Sequence, residues 1–212
     1  MKREIIAGGL VACALVGCGG EETGSMLDAH AVAQLREALS KEPPLPDGFT
    51  ARPEQAWRIP FTQGDENCRA VLAAVGGQAP WQALTAQAAV SYRGDGLGEQ
   101  AGVGVARYAD GEAEEHLDEL ADAMDSCREL RTPSGTDLRS HSLPVEGLAD
   151  DVADEAVGTR LRGRLNGYPY AMDVVLTRVG DMLVSVVHTG MDHVDAARTR
   201  EVVDAVVSMA SA

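Results

Sequence analysis

The chain has 212 residues, is 45% apolar and 24% charged, and carries a formal net charge of −15. That size suits one domain with a short tail and can bury most of its apolar surface. The acidity argues against a nucleic-acid partner, because phosphate is repelled unless a local basic patch draws it. Unperiodic glycine and proline, with the high apolar content, exclude collagen-like, coiled-coil and wholly disordered chains. Two Trp, four Tyr and two Phe are too few to line an aromatic binding surface.

Lys2 and Arg3 precede an apolar run over residues 5–16. The run is too short to span a bilayer and reads as a secretory signal. It ends in Leu15-Val16-Gly17-Cys18, which resembles a bacterial lipobox. The expectation is a signal peptide over residues 1–17, cleaved before Cys18, whose sulfur carries diacylglycerol and whose new amine takes a further, palmitate-like acyl chain. Two or more chains hold a protein stably at a membrane. Residues 18–25 then form the lipidated Cys and a Gly/Ser/Glu tether reaching only about 15 Å. Residues 26–212 are the single extracytoplasmic domain.

Cys13 leaves with the signal and Cys18 is consumed by lipid, so Cys68 and Cys127 remain. An oxidising compartment favours a disulfide between them. Closing a loop of about 60 residues is worth roughly 4 kcal/mol in the chain-entropy model. Two free buried thiols are the alternative. A zinc site lacks partner histidines at suitable spacing.

A first helix is expected over residues 26–40, with Leu27, Ala31, Leu35, Ala38 and Leu39 on one stripe and Ser25 as cap. Prolines end it. Residues 49–61 read as extended, with Pro53 and Pro60 confining them to a sheet edge. Asp65 opens a second helix through Cys68, Val71, Leu72 and Val75, stopped at Gly76-Gly77. Strands over 86–93 and 102–108 flank a Gly94-Asp95-Gly96 hairpin loop. Asp110 caps a helix over 111–128 whose buried stripe carries Leu117, Leu120, Ala121, Met124 and Cys127 or Arg128, which puts Cys127 near that stripe and within reach of Cys68. A weak strand over 138–145 and an acidic loop over 146–155 follow. Strands over 157–165, 168–179 and 182–189 are joined at Asn166-Gly167 and Gly180-Asp181. A helix over 194–209 closes the chain. The fold class is α+β: a single antiparallel sheet of five to seven strands with packed helices.

Two-residue turns at Asn166-Gly167 and Gly180-Asp181 set the register. Leu165 then faces Tyr168, Arg160 faces Asp173, and His188 falls opposite Asp173. A slip of one residue would break the row. Arg162 and Arg164 extend it on the same face. Arg160, Arg162, Arg164, Asp173 and His188 are therefore the candidate ligand-binding residues, suited to a polar or anionic ligand. The plain alternative is a solvated sheet face with an ordinary cross-strand pair worth under about 1 kcal/mol.

Other clusters carry less. An Asp–His pair invites a hydrolase reading, but Ser185 points to the opposite face and no Gly-x-Ser-x-Gly elbow exists. His188, Asp192 and His193 read as a strand end rather than a metal site. Glu146, Asp150, Asp151, Asp154 and Glu155 lack EF-hand spacing. The carboxylates between Glu112 and Asp125 read as a solvated helix face. No catalytic residue, metal or cofactor is expected.

Several segments resemble the extracellular sensor-domain family of actinobacterial Ser/Thr receptor kinases (PknH-like), which also occurs as free-standing lipoproteins. They are Leu45-Pro46-Asp47-Gly48-Phe49 after the first helix, Cys68 and Cys127 on two helices, and Gly147-Leu148-Ala149-Asp150-Asp151 through Asp154-Glu155-Ala156 before a strand. The closing three strands and helix complete the likeness. The resemblance implies a sheet with helices forming a cleft, a sensing or binding role, and no catalysis. Several family members have a second disulfide, for which this chain has no cysteines. An envelope lipid or glycolipid carrier is the alternative role, a hydrolase the third. In each, the expected address is the outer face of the cell membrane, and the expected partners are that membrane, through the lipid, and a small-molecule or envelope ligand.

Overall fold

A computed structural model describes residues 27–41, 44–61, 64–109, 111–145 and 153–211. The expected signal, Cys18, the tether, the Asp110 cap and most of the acidic loop lie outside these residues.

Seven strands form one antiparallel sheet: β1 (Leu84–Arg93), β2 (Gln100–Tyr108), β3 (Glu129–Arg131), β4 (Asp137–Ser142), β5 (Glu155–Leu165), β6 (Tyr168–Val179) and β7 (Met182–Gly190). Their order is β1-β2-β7-β6-β5-β4-β3. Four helices pack on it: α1 (Ala29–Ser40), α2 (Glu66–Val75), α3 (Glu112–Ser126) and α4 (Ala196–Ala210). The fold is therefore α+β.

Each helix buries one stripe. Cys68, Val71, Leu72 and Val75 of α2, with Leu117, Leu120 and Met124 of α3, pack on Met172, Val174, Leu176 and Leu183. Leu35 and Leu39 of α1, with Val202, Val203, Val206 and Val207 of α4, pack on Val103, Val175, Val184 and Val186 on the other face. β6 and β7 are thus apolar on both faces. Burying each such side chain contributes roughly 1.5–3 kcal/mol.

Asp28 caps α1, its carboxylate accepting from the N–H of His30 at 2.8 Å. That corrects the expected Ser25 cap. Leu27 lies outside the helix and is exposed. Asp65 caps α2 as expected. The Cys68–Cys127 disulfide joins the start of α2 to the C-cap of α3, with Cα atoms 4.8 Å apart.

Residues 44–61 form a strap along the outer edge of β1 rather than a regular strand. Thr50 N–H donates to Arg93 C=O at 2.8 Å, and Glu54 N–H donates to Ser91 C=O at 2.7 Å. Pro53 and Pro60 interrupt the ladder, which leaves a single bridge, Glu54 to Ser91, among the described residues. Gly104 on β2 admits the end of α2: a Cβ there would stand 2.4 Å from the Ala74 carbonyl oxygen. No described helix is long and apolar enough to cross a membrane.

Candidate functional site

The hairpin turns set the register read from the sequence. Leu165 pairs with Tyr168 and Arg160 with Asp173. Asp173 pairs in turn with His188. Asn166 and Gly167 both take positive φ, 51° and 87°, the geometry a two-residue hairpin needs.

The row is not a solvated face. The N-terminal turn of α4 lies on it, and Asp173 and His188 are 0% and 2% exposed. Arg160 grips the buried carboxylate with both arms of its fork, Nε to Oδ1 at 2.5 Å and Nη2 to Oδ2 at 2.6 Å. Thr199 of α4 places its hydroxyl 2.8 Å from Asp173 Oδ2 and 2.9 Å from His188 Nδ1. His188 Nε2 lies 3.2 Å from Glu99 Oε1, in the β1–β2 loop. Arg198 Nε donates to the same Glu99 oxygen at 2.6 Å. Its guanidinium also stacks over Phe49, 4.7 Å from the ring centroid. Glu99, Arg198, Thr199 and Phe49 thus complete a network that the strand pattern alone did not show.

Counting protons defines its chemistry. The Asp173–Thr199, Thr199–His188 and His188–Glu99 contacts need three shared protons. A neutral imidazole and one hydroxyl supply two. One contact is therefore unfilled while His188 is neutral. Burial pushes the His188 pKa below its ordinary value, against the pull of the Glu99 carboxylate. Burial acts to raise Glu99, but the Gly96 N–H, Arg198 and His188 outweigh it and hold the carboxyl below the usual range.

The five candidates therefore separate. Arg160, Asp173 and His188 are occupied internally, with only Arg160 reaching solvent at 20% side-chain exposure. Arg162 and Arg164 are exposed. Arg164 Nη1 donates to the Gly167 carbonyl at 2.9 Å.

The remaining clusters are solvated or structural. The Ser185 hydroxyl donates to Gly104 C=O at 3.1 Å, on the sheet face opposite Asp173 and His188. Asp192 and His193 are exposed, apart from buried His188. Of the acidic loop, Asp154 accepts from Arg178 and from the Gly180 N–H. Glu114, Glu115, Asp118, Asp122 and Asp125 of α3 are exposed, Glu112 is half-buried, and Glu119 reaches back to buried His116 at 3.1 Å.

A cleft of about 510 Å³ lies between α1 and the outer edge of β1 and is lined by Leu27, Val32, Leu39, Ala56 and Val90 among others. A cleft of about 270 Å³ between Leu143, Val175 and Thr199 opens beside the buried carboxylate row.

The fold is similar to the crystal structure of the extracellular domain of PknH from Mycobacterium tuberculosis. The TM-score is 0.51 at 11% identity, over 88% of this chain and 93% of that one. At that identity the likeness speaks for the fold alone. No family model matches the sequence, and no curated protein matches it.

Proposed function

We propose that this protein is a lipid-anchored, extracytoplasmic, sensor-like domain that binds a ligand without transforming it. The observation that carries the reading is the sheet with two helical layers, similar in fold to the extracellular domain of a kinase. The Leu15-Val16-Gly17-Cys18 motif supplies the anchor in this reading, and the disulfide suits an oxidising compartment.

The internal network supports binding over catalysis. His188 is buried, and both its ring nitrogens face internal partners, Thr199 and Glu99. A general base needs reach to a substrate proton. The ligand contact falls to the exposed members of the candidate set, Arg162 and Arg164. A lipid carrier needs a large continuous apolar cavity, whereas α1, α2, α3 and α4 fill both faces over the middle of the sheet.

Two experiments test the reading together. Feeding cells an alkyne-tagged palmitate should label the wild-type protein and leave Cys18→Ser unlabelled and released from membranes. Native mass spectrometry of protein from its own envelope should show a bound small molecule leaving unchanged in mass. Equal labelling of Cys18→Ser, or turnover of the bound molecule, would overturn it.

A further inference from the structure

We propose that the half of the sheet over β3, β4 and β5, which no described helix covers on the α1/α4 face, is a binding surface for a soluble ligand bearing a phosphate monoester. The proposal names the ligand class of the reading above and rests on it. Helices α1 and α4 pack over β1, β2, β6 and β7. Beyond β6 the same face carries Arg160, Arg162 and Arg164 on β5, Arg139 and His141 on β4, and Arg131 on β3. Leu130, Leu138 and Leu161 alternate with them and are buried toward α2 and α3.

Charge on this face is unbalanced. Asp173 takes up Arg160. Glu129 pairs with Arg131, and Asp137 stands 3.7 Å from the same guanidinium. Arg139 finds Glu129 at 3.6 Å, a carboxylate already engaged. Arg162 has no carboxylate partner among the described residues, and Arg164 bonds to a carbonyl. Among the described residues of β3, β4 and β5 on this face, outside the buried pair, Arg131, Arg139, Arg162 and Arg164 thus face Glu129 and Asp137, with Asp195 of the α4 cap acting on Arg160, in a chain whose net charge is −15.

The register sharpens the point. Arg139 stands directly opposite Arg162. Opposed side chains in an antiparallel pair start about 4.5–5.5 Å apart, and like charges there destabilise the sheet. Arg164 lies two residues further along the same face, about 7 Å away. A compact dianion between Arg139 and Arg162 turns the repulsion into two charge-assisted contacts, and guanidinium forks match phosphate oxygens. A monoanion leaves half of the excess charge unmatched. An extended anionic bilayer meets the rest of an acidic protein as well and is repelled by it.

The test is an NMR titration of the purified domain with phenyl phosphate, with phenol and phosphatidylglycerol vesicles as separate arms. Saturable shifts at Arg139, Arg162 and Arg164 with phenyl phosphate, absent with phenol and weakened by salt, are expected. Arg162→Gln should weaken binding about tenfold. Because it also relieves the Arg139 repulsion, the ligand-free variant should melt no lower than wild type, which a merely structural arginine would not allow. The proposal is overturned by unsaturable shifts, by binding to vesicles alone, or by an Arg162→Gln variant that melts lower and binds equally well. Saturable binding elsewhere on the domain would overturn this surface and leave the binding role standing.

Discussion

Replacing Arg160 by Met removes both donors from a carboxylate that has no access to water. Asp173 is 0% exposed and would keep only the Thr199 hydroxyl. Breaking one side of a buried, hydrogen-bonded ion pair costs about 3–5 kcal/mol. For a domain of this size each kcal/mol is worth roughly 2–4 °C, so the melting temperature should fall by about 6–20 °C. Asp173→Asn should cost less, because the Arg160 guanidinium reaches solvent at 20% exposure. The double variant isolates the pair term. Urea denaturation of the wild type and the three variants, disulfide intact, should give a coupling energy of about 2–3 kcal/mol. A coupling below about 0.5 kcal/mol is what a solvated cross-strand pair gives. That result would refute the placement of α4 over the row.

Three further outcomes follow from the same geometry. His188 has a lowered pKa in the folded state, so the unfolded chain binds its proton more tightly. The stability it contributes is present above the unfolded value, near 6.5, and is lost as pH falls through the lower folded value. Urea midpoints measured between pH 7 and 5 should therefore fall for wild type and flatten for His188→Gln; parallel curves would contradict the burial of the ring. Replacing Cys68 and Cys127 together by Ala should cost about 4 kcal/mol, read from the denaturation midpoint, since the bridge spans a separation of 59 residues. No loss would mean the bridge is absent in the native protein. Gly104→Ala sets a Cβ 2.4 Å from the Ala74 carbonyl oxygen, and backbone cannot easily yield. It should destabilise by roughly 1–3 kcal/mol in thermal melts, and an unchanged melt would contradict the close approach of α2.

The closing hairpins were legible because Asn166-Gly167 and Gly180-Asp181 are two-residue turns, and a turn of that length leaves one register. The Arg160–Asp173–His188 row followed from it. What the row does was not legible. Its other partners come from a loop and a helix: Glu99 lies 89 residues before His188, and Thr199 lies 26 after Asp173. No local pattern links such positions. A partial signal existed, since Val175 shares the face of Asp173, and a strand face mixing valine with charge is one that something covers. The three-residue strand β3 was missed because a single apolar residue, Leu130, shows no period. Its place is set by pairing with Leu138. The Arg139–Arg162 opposition needed the β4–β5 register, which no short turn announces.

The anchor is the claim on which address and role both depend, and one spectrum addresses it. Intact mass spectrometry of the protein extracted in detergent from its native membranes should show a polypeptide starting at Cys18 with the added mass of diacylglycerol and an acyl chain. A chain retaining residues 1–17, with Cys18 unmodified, would contradict it.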